Sequence, residues 1–252
     1  MSAPQTPGEA ILIPKTFHSQ QSLNEVVERY KNLRLHGLQV DPKSFSSTYE
    51  VESQFSPATW RSRLQNPAGQ TFVSVANSDT NNDTQIDTVV SIEPKDPDTS
   101  LQRLLRKDWI GIVTLLGPVL FKSDADKGTP TKPWNVFIED RNYVIPQSDL
   151  NRDAKNEYIV YLVVAMFVLP DARRKGHASR LLETLVQTVR KDANAREASK
   201  ASITIQVEPE NGAAQRLYEK LGFEVWDKAL PLDNKRGETN YVVALVKEID
   251  LA

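Results

Sequence analysis

A short basic segment, Arg173-Arg174-Lys175-Gly176-His177-Ala178-Ser179, stands between an apolar run and a stretch with helical spacing. The N-terminus of a helix presents backbone N–H groups without internal acceptors and a partial positive charge, so it attracts anions. Gly176 and Ala178 let a ligand approach the backbone, and three cationic side chains add positive charge. Residues 173–179 are therefore predicted to form an anion cradle. On composition alone, a solvated basic loop with a glycine turn is the alternative.

Other kinds of site are excluded by the residues that the chain lacks. It has no cysteine, which removes disulfides, thiolate zinc sites and a cysteine nucleophile. Its three histidines, His18, His36 and His177, are far apart and show no HExxH spacing, so no metal site is predicted. No dinucleotide-binding, phosphate-loop or nucleophile-elbow glycine motif occurs. The net charge of −2 favours neither nucleic acid nor acidic membranes as partners.

The second half of the chain supplies the elements that must position the cradle. Residues 158–169 are apolar, β-branched and aromatic, which predicts a buried strand directly before it. The predicted elements that follow are a helix with an apolar stripe from Leu181 to Val189, a strand over 202–207, a helix over 213–221 ended by Gly222, and strands over 223–226 and 241–246. This alternation predicts a parallel strand pair inside a mixed sheet.

The first half is less regular. A helix is predicted over residues 22–36, with Ser22 as its N-cap and Gly37 after its end. The other predicted elements are strands over 10–13, 71–76 and 109–120 and a helix over 57–64. Residues 77–108 and 122–156 exceed ordinary connections and are predicted to be insertions without clear internal structure. Residues 1–9 are predicted to be a flexible N-terminal tail, and residues 10–252 the folded domain.

Two motifs carry a resemblance to a known family. Arg173-x-x-Gly176-x-Ala178 matches the Q/R-x-x-G-x-G/A motif of the GNAT superfamily of acyl-CoA-dependent N-acetyltransferases. A second segment resembles the family's following motif, N-x-x-A-x-x-L-Y-x-x-L-G-F, and runs from Asn211 through Ala214 and Tyr218 to Phe223. The resemblance is strongest over residues 158–246, with a looser likeness of residues 30–41 and 57–64 to the family's first two helices.

The resemblance implies an α+β (α/β) fold in one domain, with a mixed, twisted central sheet flanked by helices, and acetyl-CoA as co-substrate. In the family, the strand before the cradle holds the pantetheine arm, which implies the backbone of Met166, Phe167 and Val168. The pyrophosphate is implied to bind at the cradle, on the amides of residues 174–179. The residues implied to contact the cofactor there are Arg173, Arg174, Lys175, Gly176, His177, Ala178 and Ser179. Asn211, Ala214 and Tyr218 are implied to line its thiol end.

Two of these residues have structural alternatives. Asn211 is also a good N-cap for a helix that begins at Gly212. Tyr218 is also a good core aromatic beside Leu217 and Leu221.

Direct attack of a neutral amine on a thioester needs a base for the amine, a backbone donor for the oxyanion and an acid for the thiolate. Tyr218 is the predicted acid, and a strand N–H near Val168 the predicted donor. Residues 158–169 contain no Asp or Glu, so the strand carboxylate of histone acetyltransferases is missing. Glu208 is the first candidate for the base, followed by Glu139 and Asp140. A solvent-exposed carboxylate is the alternative for each.

The expected activity is acetylation of a primary amine on a small molecule. The insertion at 122–156 holds Trp134, Phe137 and Tyr143 among Glu139, Asp140 and Asp149. Aromatic rings beside carboxylates suit a cationic amine, although they could equally pin the loop to the sheet or form a dimer contact. The alternative functions are a catalytically idle acyl-CoA-binding module and a protein or peptide N-acetyltransferase. A cytoplasmic protein is expected, as a possible homodimer, with no metal, nucleic acid or membrane partner.

Overall fold

The computed structural model describes residues 8–76, 97–122, 150–155, 157–233 and 239–251. Its strands are β1 Ala10–Leu12, β2 Gly69–Val75, β3 Trp109–Lys122, β4 Glu157–Val168, β5 Lys200–Val207, β6 Glu224–Asp233 and β7 Thr239–Ile249. They form one seven-stranded sheet in the order β1-β2-β3-β4-β5-β7-β6. Among the described strands β4 and β5 run parallel, and the other neighbours are antiparallel. The mixed sheet with a parallel pair is confirmed.

Helices cover both faces of this sheet. They are α1 Gln20–Val40, α2 Tyr49–Glu52, α3 Pro57–Gln65, α4 Pro97–Arg106, α5 His177–Ala195 and α6 Gly212–Lys220, with 3-10 turns at Pro42–Ser44 and Pro170–Ala172. The leucine and valine stripe of α5 lies in a core with β4 and β5, whereas α1, α3 and α4 contribute to a second core with β2. The fold expected from the resemblance, helices around a mixed sheet in one domain, is confirmed.

Helix α1 is longer than the sequence predicts. Ser19, rather than Ser22, is the N-cap and accepts a hydrogen bond from the backbone N–H of Ser22. The predicted end at Gly37 is wrong, because the helix continues to Val40. A Cβ atom at Gly37 would lie 3.1 Å from the ring of Phe167, which is already closer than ordinary contact. Gly37 therefore serves the close approach of α1 to β4 and does not end the helix.

The end of the first predicted insertion is helical, so the expectation of no internal structure through 77–108 is wrong there. Helix α4 buries Leu101 and Leu104 in the same core as α1. A single three-residue spacing of apolar residues is too short a pattern to predict a helix within a polar stretch. The Arg29 side chain of α1 donates a hydrogen bond to the carbonyl of Lys107 at 3.1 Å and fixes the end of α4. Residues 77–96 and 123–149 lie outside the described residues.

Candidate active site

The parallel strands β4 and β5 separate before β4 ends. Their pairing runs from Tyr158 with Lys200 to Val163 with Ile205 and stops there. In the described structure, the rest of β4 has no partner on the edge that faces β5, although β3 still pairs on the other side. Ala165 has a positive φ of 55°, at a bulge where β4 has one residue more than β3. The split leaves backbone N–H and C=O groups of β4 available to an extended ligand.

The anion cradle follows directly after this open edge. Gly176 is the N-cap of α5 with φ of 86°, a left-handed conformation that favours glycine, and Arg174 has φ of 62°. No side chain caps the helix, and the first N–H that bonds within its first turn is that of Arg180, to the carbonyl of Gly176 at 3.0 Å. The N–H groups of residues 177–179 precede that bond and point from the helix end, as an anion site requires.

The side chain of Arg173 is already engaged by the protein. Its guanidinium donates to the Asp41 carboxylate at 2.5 Å and to the carbonyl of Val168 at 3.1 Å, and lies 5.9 Å from the ring centroid of Phe167. This side chain ties the cradle to the end of α1. Arg173, Arg174 and Lys175 are all exposed, but only Arg173 is held by these contacts.

His177 contributes its backbone to the cradle, while its ring points elsewhere. Nδ1 of the ring is hydrogen-bonded to Oγ of Ser74 on β2 at 2.8 Å. Burial, and then the charge of Lys175, lower the pKa of His177. The ring is therefore neutral near pH 7 and holds the start of α5 against the sheet.

Asn211 begins α6 and also reaches across to the other half of the molecule. Its Oδ1 accepts the N–H of Ala214 at 3.2 Å, so the capping role is confirmed by the geometry. Its Nδ2 donates to Oγ of Ser44 at 3.2 Å. Ser44 belongs to the 3-10 turn after α1, so Asn211 fixes that turn beside the open end of β5.

A cavity of about 360 Å³ opens at the strand split. Val163, Val164 and Ala165 of β4 line one side, and Gln206, Val207 and Glu208 at the end of β5 line another. The remaining wall comes from α1, the segment after it, α3, β2, β3 and β7. Because β4 lines the cavity and ends shortly before the cradle, the open edge of that strand connects the two regions, and a cofactor held at the cradle could reach the cavity along it.

Two guanidinium groups and one carboxylate stand at the α1 side of the cavity. Glu52, 1% exposed, accepts from Nε and Nη2 of Arg34 at 3.1 and 2.8 Å and from Nη1 of Arg63 at 2.8 Å. Burial alone would raise the pKa of Glu52, but the hydrogen bond and charge of Arg34, and then those of Arg63, lower it to about 2. We call these three residues the arginine–glutamate cluster. It leaves one positive charge without a counter-ion in the cluster.

Glu208 is the carboxylate at the other side of the cavity. It follows the last residue of β5 and is partly buried. Burial, and then the charge of Glu210, raise the pKa of Glu208. A carboxylate with a raised pKa is a stronger base than an ordinary one, which suits proton transfer from an ammonium group.

The model of the acetyltransferase (GNAT) domain family matches residues 135–225, which include β4, the cradle, β5 and α6. The match includes both motifs, so this part of the chain is a GNAT acetyltransferase domain. The resemblance of the two motifs is thereby confirmed, and the protein is an enzyme of the N-acetyltransferase class. No curated protein matches the chain in sequence.

Solved structures agree with the GNAT fold. NAA60 from Arabidopsis thaliana, in complex with a bisubstrate analogue, is 15% identical with a TM-score of 0.50 and covers 96% of this chain and 99% of its own. The structure of the same protein in complex with acetyl-CoA is also 15% identical, with a TM-score of 0.50, and the match covers 95% of this chain and 98% of that chain. Smu.2055 from Streptococcus mutans UA159 is 12% identical, also with a TM-score of 0.50, and the shares covered are 96% and 99%. At these identities the likeness concerns the fold.

Tyr218 of this GNAT domain is 5% exposed and packs in the α5-side core, 6.1 Å from the ring centroid of Phe223. Its hydroxyl has no hydrogen-bond partner within the described ranges, and burial raises its pKa. The hydroxyl therefore keeps its proton at neutral pH. Tyr218 lies outside the wall of the cavity as described, so its packing agrees with the core alternative, while its place in the motif still predicts the acid.

The strand residues alternate across the sheet. Phe167 faces α1 and contacts the His36 ring edge-on at 6.3 Å, whereas Met166 and Val168 pack on the α5 side. Ala214 packs against that same core. The three strand residues can serve a cofactor through the backbone, as the resemblance implies.

Six residues that the sequence predicts for the site lie outside the described residues: Trp134, Phe137, Glu139, Asp140, Tyr143 and Asp149. The sequence reasoning missed Arg34, Glu52, Arg63 and Gln206 at the cavity. One signal could have found Arg34, which stands four residues after Tyr30 on the apolar face of α1, where an arginine is rarely buried without a partner.

Within the described residues, no helix is long and apolar enough to cross a membrane. No group of three or more His, Asp or Glu side chains among them is arranged to hold a metal ion.

Proposed function

We propose that this protein transfers the acetyl group of acetyl-CoA to the primary amine of a small molecule. The observation that carries the proposal is the meeting of the anion cradle and the cavity at the split between β4 and β5. The amine nitrogen bonds to the carbonyl carbon of the thioester, the C–S bond breaks, and the products are an acetamide and the CoA thiol.

The cofactor contacts follow from the exposed backbone. The pyrophosphate binds the N–H groups of residues 174–179, and the side chains of Arg174 and Lys175 add charge. The pantetheine arm runs along the open edge of Met166, Phe167 and Val168 and bonds as an added strand would. Asn211, Ala214 and Tyr218 stand near its thiol end in this proposal.

The chemistry is divided among Glu208, the backbone of β4 and Tyr218. Glu208 takes a proton from the acceptor ammonium, because its pKa is raised and it lines the cavity. The backbone N–H groups at the β4 bulge stabilise the oxyanion. Tyr218 donates a proton to the departing thiolate, for which its hydroxyl is protonated at neutral pH. Its phenolate then takes the proton that the nitrogen loses as the amide forms.

A cavity of about 360 Å³ is in the range that small-molecule sites occupy, and this favours a small acceptor. The cytoplasmic location and the possible homodimer expected from the sequence remain part of this proposal, as do the absence of a metal and of nucleic-acid or membrane partners.

The test is thiol release from acetyl-CoA in the presence of small primary amines and of lysine peptides. We expect turnover with small amines. A preference for peptides would contradict the small-molecule acceptor. Binding of acetyl-CoA without turnover of either class would support the idle binding module instead.

A further inference from the structure

We propose that the acceptor carries a carboxylate in addition to its amine, as an amino acid does, and that Arg34 and Gln206 bind this carboxylate. The proposal rests on the proposed function, because it names the class of amine that the acetyltransferase site takes. In this proposal Glu208 forms the anionic end of the cavity and Arg34 the cationic end.

The first observation is an unsatisfied donor on a buried arginine. Arg34 is 8% exposed and lines the cavity, and its Nε and Nη2 are used by Glu52. Its Nη1 is buried and has no hydrogen-bond partner in the part of the chain that the structure describes. A buried, charged N–H without an acceptor is costly, and a ligand oxygen would satisfy it.

The second observation is independent and lies on another element. Gln206 stands on β5 beyond the point where β4 separates, and it also lines the cavity. Its Nε2 is buried and likewise lacks a partner among the described residues. Arg34 and Gln206 thus both line the cavity, and each has one buried N–H donor without an acceptor. A carboxylate has two acceptor oxygens and is the ligand group that suits such a pair of donors.

The charges of the wall support the same ligand. Among the described residues that line the cavity, the charged ones are Arg34, Arg63 and Glu208. Glu52 neutralises one of the two guanidinium charges from behind the wall. The remaining positive charge attracts a carboxylate, while Glu208 attracts an ammonium group. An amino-carboxylate matches both ends, whereas a polyamine would place an extra cation against Arg34.

The test compares matched acceptors that differ only in the carboxylate. L-amino acids and their primary amides share side chains, and kcat/KM is measured for each pair with acetyl-CoA. The amine of the amide is less basic and therefore more often unprotonated, so intrinsic reactivity favours the amide. We expect the acids to be preferred by about 10- to 100-fold, the range that hydrogen bonds to a charged group supply.

Variants assign that preference to the two donors. Arg34→Met and Gln206→Glu are each expected to raise KM for the acids by about tenfold or more while the amides are affected less. Lys31→Met is the control, since Lys31 lies three residues earlier on α1 and pairs with Glu28 at the surface. Gln206→Glu keeps the size of the side chain and carries the test if Arg34→Met does not fold.

Direct binding separates this proposal from the proposed function. Amino acids and amides are titrated by calorimetry into the protein with CoA present. Acids that bind, lose affinity in Gln206→Glu, and are not acetylated would support the carboxylate site and contradict the transferase function. Amides that are turned over as well as the acids would support the transferase function and overturn the carboxylate site. The carboxylate site would also be overturned if acids and amides bound equally well, or if neither bound and neither was acetylated.

Discussion

The anion cradle and the acceptor cavity are built from different parts of the chain. The cradle occupies seven consecutive residues, 173–179, and its donors are backbone N–H groups at one helix start. The cavity takes side chains from three helical segments and five strands, and the arginine–glutamate cluster joins residues 18 and 11 positions apart. A backbone site leaves a short motif with glycine in the sequence, whereas a side-chain site of this kind leaves none.

Two side chains of the motifs connect these regions. Arg173 of the cradle donates a hydrogen bond to Asp41, which precedes the 3-10 turn after α1. Asn211, the N-cap of α6, donates a hydrogen bond to Ser44, the last residue of that turn. The family motifs therefore hold the cavity wall in place, in addition to providing the backbone that is proposed to bind the cofactor. Substitutions at Arg173 or Asn211 should therefore disturb both the cradle and the cavity, whereas substitutions at other residues should affect one region at a time.

The largest effect is expected for Tyr218→Phe, the one side chain in the cofactor region with a proposed chemical role. Loss of a general acid lowers kcat by about 10²–10⁴-fold. Stability should change little, since the hydroxyl has no partner among the described residues and the ring packing on Phe223 is kept. Tyr158→Phe is the control, because its hydroxyl donates to Ser202 at 2.6 Å inside the core. That variant should lose stability and keep kcat. Unaltered turnover of Tyr218→Phe would restore the core role.

The second largest effect is expected for Glu52→Gln, which disrupts the arginine–glutamate cluster at the cavity. Removing the carboxylate leaves two guanidinium groups facing each other, and loss of a buried partner costs about 3–5 kcal/mol of unfolding free energy. Urea unfolding at pH 7 measures it. Glu28→Gln, whose partner Lys31 lies at the surface, should cost less than about 1 kcal/mol.

The pH dependence provides a second readout of the same cluster. The pKa of Glu52 is lowered from 4.5 to about 2, so its contribution is present above pH 4.5 and is lost as the pH falls toward 2. The gap in stability between the native protein and Glu52→Gln should narrow over that range. A constant gap would contradict the ionised cluster.

Gly176→Glu is expected to abolish anion binding at the cradle and to leave the residues that line the cavity unchanged. The substitution places a β-carbon on a backbone with φ of 86° and a negative charge where phosphates are proposed. Like-charge contact costs several kcal/mol, so calorimetry should show at least about a hundredfold loss of CoA affinity. Gly176→Ala carries the same backbone strain without the charge and should lose less. A folded Gly176→Glu protein with unchanged affinity would overturn the cradle.

The smallest effect concerns Glu210→Gln. The charge of Glu210 helps to raise the pKa of Glu208, so its removal lowers that pKa. The acidic limb of kcat/KM should move to lower pH by a fraction of a unit, because the base is ionised earlier. Glu219→Gln, on the exposed face of α6, should leave the limb in place. An unmoved limb in Glu210→Gln would argue against Glu208 as the base.

The sequence predicted elements well where apolar spacing was regular. The stripe of α5, the strands around it, and α6 with its cap at Asn211 agree with the structure because local spacing and capping decide them. It failed where a residue serves a distant contact. Gly37 was interpreted as a helix end although it makes room for Phe167, and α4 was missed because α1 supplies the surface on which it packs.

The sequence alone determined the place of residues 173–179 between a strand and the start of a helix, and it carried the resemblance to the GNAT family, since glycine, capping residues and apolar periods act over a few positions. The tertiary structure decided where β4 and β5 separate, and which side chains meet at that point. Arg34, Glu52 and Gln206 are brought to one cavity by contacts between elements far apart in the chain. Their pairing depends on burial and on distances in three dimensions, and the spacing of residues along the sequence predicts neither.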